Sequence, residues 1–146
     1  MATRMALFNT HALTHTYRYS HSQNIRPHAY LMVYTALHFD SGRNTIVLMR
    51  GRRRYLLADP TQCQNFNLYQ QDHPSSRHTS LPWTDMIRPE YNLWMNEVVL
   101  QPGDALILPS YWFHSIIGLT NQDAQCNAWS VGTLTWKKPI QDCGVF

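Results

Sequence analysis

Charge is scarce in this chain: Asp, Glu, Lys and Arg make up only 14% of 146 residues. A disordered, self-repelling polymer is thereby excluded, because 44% hydrophobic and 12% aromatic content calls for a packed core. Cysteine is equally sparse. The three present, Cys63, Cys126 and Cys143, are odd in number and contain no C-x-x-C pair. That indicates neither a disulfide framework nor a zinc ribbon and suits a reducing, cytoplasmic or nuclear compartment. Long apolar runs are missing too. No stretch reaches transmembrane length, and Met1 to Thr16 lack the uninterrupted apolar core of a signal peptide. The expectation is a soluble intracellular protein without membrane contact.

The formal net charge is +3, and much of it comes from Arg50, Arg52, Arg53 and Arg54. A single cluster is not a basic face, so nucleic-acid binding is not indicated. At 17.1 kDa the chain fits one domain that can bury most of its surface. Its organisation reads as a lead segment over 1–28, a barrel over 29–136 and a short tail over 137–146.

The lead segment shows neither helical nor strand periodicity. From Ala29 to Leu37 the run AYLMVYTAL is short, apolar and aromatic, which predicts a buried strand. Ser41 and Gly42 supply a turn, Thr45 to Met49 and Arg53 to Ala58 read as strands, and Pro60 opens a short helical turn or loop. Residues Cys63 to Trp94 are rich in Gln, Asn, Ser and Pro and read as a long loop with a helical turn near Trp83 to Ile87. Glu97 to Leu100 and Ala105 to Leu108 flank Gln101-Pro102-Gly103-Asp104, which predicts a β-hairpin. Further strands are placed at Ser115 to Leu119 and Ala124 to Thr135. Many short strands and no long helix predict an all-β double-stranded jelly roll.

In extended chain, side chains two apart share a face, so His38 and Asp40 present an imidazole and a carboxylate together. Phe39 points the other way. His114, arriving from a distant strand, would complete a two-histidine, one-carboxylate set with open coordination positions. H-x-D alone also occurs by chance, and His38 by itself reads as a hydrogen-bonded core histidine. The order of motifs is more specific. H-x-D is followed by G-x-[KR] and then by P-G-D-x-x-x-x-P-x-x-[WF]-[WF]-H.

The stretches TALHFDSGRN, RGRRRYLLADP, LQPGDALILPSYWFHSI and CNAWS resemble the cupin-like JmjC family of iron(II) and 2-oxoglutarate oxygenases, most closely its protein-hydroxylase branch. The resemblance covers roughly Tyr30 to Ser130 and implies a double-stranded β-helix, a cupin-like barrel. It implies Fe(II) at His38, Asp40 and His114, with Thr35 and Asn44 near 2-oxoglutarate and Asn127 and Trp129 on a facing strand. The family's lysine for the distal carboxylate of 2-oxoglutarate falls on Arg53, a departure in which the planar guanidinium can form a two-pronged pair. The resemblance further implies O2 as cosubstrate, a protein or peptide substrate, and outer strands and C-terminal dimerisation helices that are shortened or missing here.

Two other readings stand beside it. One is a metal-dependent cupin enzyme that does not use 2-oxoglutarate, and the other is a noncatalytic or partner-dependent binding module. His11, His15, His21 and His28 read as surface residues, and His73 and His78 as loop residues around Pro74. Tyr111, Trp112 and Phe113 read as core packing around a metal strand, and Cys126 as a small buried hydrophobe.

Overall fold

A computed structural model describes residues 5–7, 34–82, 93–130 and 143. Among these residues, eight strands form two four-stranded sheets. They are β1 (Met5–Leu7), β2 (His38–Phe39), β3 (Arg43–Arg50), β4 (Arg53–Ala58), β5 (Asn96–Leu100), β6 (Ala105–Leu108), β7 (Phe113–Gly118) and β8 (Ala124–Ser130). The first sheet has the order β1-β6-β3-β8 and the second β2-β7-β4-β5. Apart from the parallel β1–β6 pair, every pairing is antiparallel.

Period-two alternation explains the inner faces. Along β3, Asn44, Ile46 and Leu48 are buried, whereas Arg43, Val47 and Met49 are exposed. Ile46 and Leu48 meet Tyr55, Leu57, Leu100, Leu106 and Leu108 in an aliphatic core between the sheets. The second sheet is also packed on its outer face. There Leu37, Phe39, Ala58 and Phe113 join Cys63, Phe66 and Leu68. The last three come from or follow a 3₁₀ helix, Pro60–Phe66, whose first turn is capped by Asp59 accepting from the Thr61 N–H at 2.8 Å.

Several expectations are corrected. The Pro-Gly turn forms, with Gly103 at φ 93° and the Asp104 N–H donating to the Gln101 carbonyl at 2.9 Å. It does not close a hairpin: β5 pairs with β4 and β6 with β3, so the turn carries the chain from one sheet to the other. Its docking on β3, Gly103 N–H to Leu48 O at 2.8 Å and Leu48 N–H to Asp104 O at 3.0 Å, is what redirects it. β3 and β4 change sheets in the same way through Gly51, at φ 82°.

The lead segment, expected to lack a strand, contributes Met5–Leu7, which pairs in parallel with β6. The strand expected from Ala29 is, within the described residues, a single bridge from Tyr34 to Ile117 followed by the two-residue β2. Residues 29–33, the turn at 83–87, residues 131–135 and the tail other than Cys143 lie outside the described residues. Cys63 and Cys143 are disulfide-bonded, which corrects the expectation that no disulfide framework is indicated. At a sequence separation of 80, no local spacing rule would reveal the pair. Cys126 is free and exposed, so it is not the buried hydrophobe expected. No described helix is long and apolar enough to cross a membrane.

Candidate metal centre

β2 and β7 lie side by side with His38 directly opposite His114 and Phe39 opposite Phe113. Cross-strand partners share a face, so the two histidines point between the sheets while the two phenylalanines, edge to face at 5.3 Å, anchor both strands from behind. Asp40, two residues after His38, returns to the inner face. Its carbonyl accepts the Tyr111 N–H at 2.8 Å, and Tyr111 holds a left-handed φ of 68°, so the approach to β7 is tied to the H-x-D segment.

The ligand atoms of His38, Asp40 and His114 all lie within 4.8 Å of one another. The imidazole centroids are 4.4 Å apart, and His114 Nε2 is 3.7 Å from Asp40 Oδ2. Each imidazole is oriented from behind: Nδ1 of His38 donates to the Ala36 carbonyl at 2.8 Å, and Nδ1 of His114 to the Trp112 carbonyl at 3.1 Å. Spending the Nδ1 proton on a carbonyl turns the Nε2 lone pair toward the shared space. Burial lowers the pKa of both imidazoles. At His38 the Ala36 hydrogen bond opposes it in part, and at His114 the proximity of His38 adds to it. The neutral ring is the ligating form.

Two neutral imidazoles and a carboxylate converging from one side suit a divalent first-row metal with positions left open. A further polar atom awaits a partner: Asn44 is 6% exposed, and its Oδ1 makes no hydrogen bond among the described residues. Such a buried acceptor is costly unless a donor or bound group completes it.

The other residues named from the sequence fall in different places. Thr35 is fastened to β7, its Oγ1 accepting the Ile116 N–H at 3.0 Å and its carbonyl accepting Ser115 Oγ at 2.7 Å. On β8, Trp129 lies opposite Asn44 and Asn127 opposite Ile46, so both share the inward face although both are exposed. Arg53, Tyr55 and Leu57 share the inner face of β4, and Leu57 is level with His114. Arg53 therefore lies about 13 Å along the strand from the histidine level, at roughly 3.3 Å per residue. Its Nε donates to Asp123 Oδ2, and the buried Tyr55 hydroxyl donates to Gln125 Oε1 at 2.6 Å.

His78 escaped the sequence reading. It bridges His38 from the far side, stacks on its ring at 4.8 Å and 15°, and directs Nδ1 toward the Ser76 carbonyl at 3.3 Å. The segment around it is held by Phe39 N–H to Arg77 O at 3.2 Å and Thr79 N–H to Leu37 O at 2.9 Å, which extend the second sheet past β2. Polar loop composition concealed that pairing. Only the equal offset of each histidine from the carbonyl two residues before it hints at a common role.

Residues 30–131 match the Cupin-like domain family. The chain belongs to that family. This cupin-like chain is 29% identical over 105 residues to the HSPB1-associated protein 1 homolog of Danio rerio, across 65% of its own length and 22% of that protein's. It thus spans about a fifth of that relative. Among solved structures it is similar to YcfD, a ribosomal oxygenase from Escherichia coli in complex with cobalt and 2-oxoglutarate, at 19% identity and a TM-score of 0.38 over 66% of this chain and 19% of that one. A second structure of the E. coli protein gives 22% and 0.40 over 64% and 21%. The family match bears out the cupin-like, JmjC-type resemblance drawn from the motifs.

Proposed function

We propose that this cupin-like domain is an Fe(II)- and 2-oxoglutarate-dependent oxygenase acting on a protein side chain. The observation that carries the reading is the convergence of His38, Asp40 and His114 on one point of the inner face, each imidazole held with Nε2 available. When bound, iron(II) with 2-oxoglutarate and O2 supplies the oxidising power, coupling decarboxylation to succinate with insertion of oxygen into a C–H bond.

The chain's own residues do the rest. His38, Asp40 and His114 hold the metal from one side, Asn44 leaves its Oδ1 open to a hydrogen-bond donor, and Arg53 offers charge to a distal carboxylate. Ile46, Leu57, Leu106 and Leu108 form a buried apolar cluster, and Leu57 stands level with His114. The segment at 67–82 brings His78 to its rim and carries an open cavity of about 450 Å³ lined by Leu68, Tyr69 and His73 among others. A loop on a rigid scaffold is suited to receive a peptide.

A cytoplasmic or nuclear location rests on sequence alone, and the Cys63–Cys143 bond argues against it. One observation favours a second reading, a metal-dependent cupin that does not use 2-oxoglutarate: Arg53 already has a carboxylate partner in Asp123.

The test is Fe(II)-dependent conversion of 2-oxoglutarate to succinate by the purified chain and its His114→Ala variant, with metal content measured on the same samples. Succinate from wild type alone supports the oxygenase. Bound metal without succinate supports the second reading, and a chain with no metal supports a binding module.

A further inference from the structure

The guanidinium assigned to the cosubstrate is already engaged. Arg53 and Asp123 form an ion pair through Nε, with side-chain exposures of 21% and 20%. The hydrogen bond to Arg53 is the chief cause holding the Asp123 carboxyl below its ordinary range, and the same bond raises Arg53.

Asp123 is brought there by backbone packing. It ends the turn between β7 and β8, and that turn is fastened to the turn between β3 and β4. The Leu119 N–H donates to the Arg52 carbonyl at 2.9 Å, the Arg52 N–H to Thr120 Oγ1 at 3.2 Å, and Arg50 to Gln122 Oε1. Gly51 makes the approach feasible. A Cβ at this residue would lie 2.5 Å from Thr120 Oγ1 and 2.7 Å from Asp123 Cβ, and its φ of +82° is a left-handed one. Two turns thus interlock to set a carboxylate on Arg53.

We propose that Asp123 is an internal competitor for Arg53, a specificity-determining residue that the distal carboxylate of a short dicarboxylic 2-oxo acid must displace. This rests on the reading of Arg53 as the cosubstrate anchor. One guanidinium facing two carboxylates in a half-desolvated site makes affinity the difference between two ion pairs, and like charges disfavour joint occupancy. Cosubstrate binding is weakened as a result, and occupancy follows the concentration of the dicarboxylate. A monocarboxylic 2-oxo acid such as pyruvate has no distal charge to exchange, so its binding is indifferent to Asp123.

The experiment is calorimetric titration of the Mn(II)-loaded chain with 2-oxoglutarate and with pyruvate. The proteins are wild type, Asp123→Asn, Asp123→Ser, Arg53→Ala and the Asp123→Asn/Arg53→Ala double variant, each with a thermal melt. Asp123→Asn and Asp123→Ser should bind 2-oxoglutarate about twofold to fivefold more tightly than wild type, the range for releasing a partly exposed pair. Pyruvate should be unchanged, and Arg53→Ala should weaken 2-oxoglutarate whichever residue stands at 123. Equal or weaker 2-oxoglutarate binding by the folded Asp123 variants, with wild type binding it, overturns the competitor and leaves the oxygenase reading standing. Absence of 2-oxoglutarate binding from wild type and every variant removes the oxygenase reading, and the competitor with it.

Discussion

The two faces of β7 differ in chemistry although one short strand builds both. Outward, Phe113 is fully buried against Phe39, Phe66 and Cys63, behind a 3₁₀ helix that a disulfide ties to Cys143. Inward, the next residue, His114, is 3% exposed and points its Nε2 at Asp40. The aromatic face holds the strand pair in register, and the polar face uses that register to bring two imidazoles and a carboxylate together. A site built this way inherits its precision from packing on the opposite side of the sheet.

That contrast is sharpest in a pair of adjacent substitutions. Phe113→Ala should cost about 3–5 kcal/mol by denaturant unfolding, the range for an aromatic removed from a core. His114→Ala should lose metal binding while shifting the unfolding midpoint far less. Equal destabilisation by both would dissolve the distinction between the faces.

Removing the clamp on the aromatic face comes next. Cys143→Ser should lower stability by about 2–4 kcal/mol, measured with and without a dithiol reductant. The reductant should have no further effect on the variant. Smaller again is Gly51→Ala at the opposite end of the barrel, where a left-handed φ and the close turn at Asp123 together should cost about 1–3 kcal/mol. The metal centre should remain intact, and a variant that loses metal would show the two ends to be one cooperative unit.

The smallest effect concerns pH. Asp123 has a folded pKa below its ordinary 3.8, so its pairing adds stability above that value and loses it as pH falls further. The acid limb of the stability curve should flatten in Asp123→Asn, and an unchanged limb would show that the pair contributes nothing there.

Much of this was legible in the sequence because it is local. The alternation of Asn44, Ile46 and Leu48, the Pro-Gly turn and the shared face of His38 and Asp40 all follow from backbone geometry. The motif order pointed to His114 as their distant partner. What could not be read is non-local. The hairpin reading failed because a turn does not say which sheet receives the next strand. Cys143 lies 80 residues from its partner, and Met5–Leu7 takes strand form by pairing with β6. His78 and Asp123 gain their importance from what they face, and loop composition carries no record of that.

Anaerobic titration of the chain with Fe(II) and 2-oxoglutarate, monitored by the visible charge-transfer band of the chelate, decides whether His38, Asp40 and His114 form an oxygenase site. Wild type should show a band that is lost in His114→Ala and in Arg53→Ala. A wild-type chain that binds iron but shows no band, or a band that survives loss of His114, would contradict that assignment.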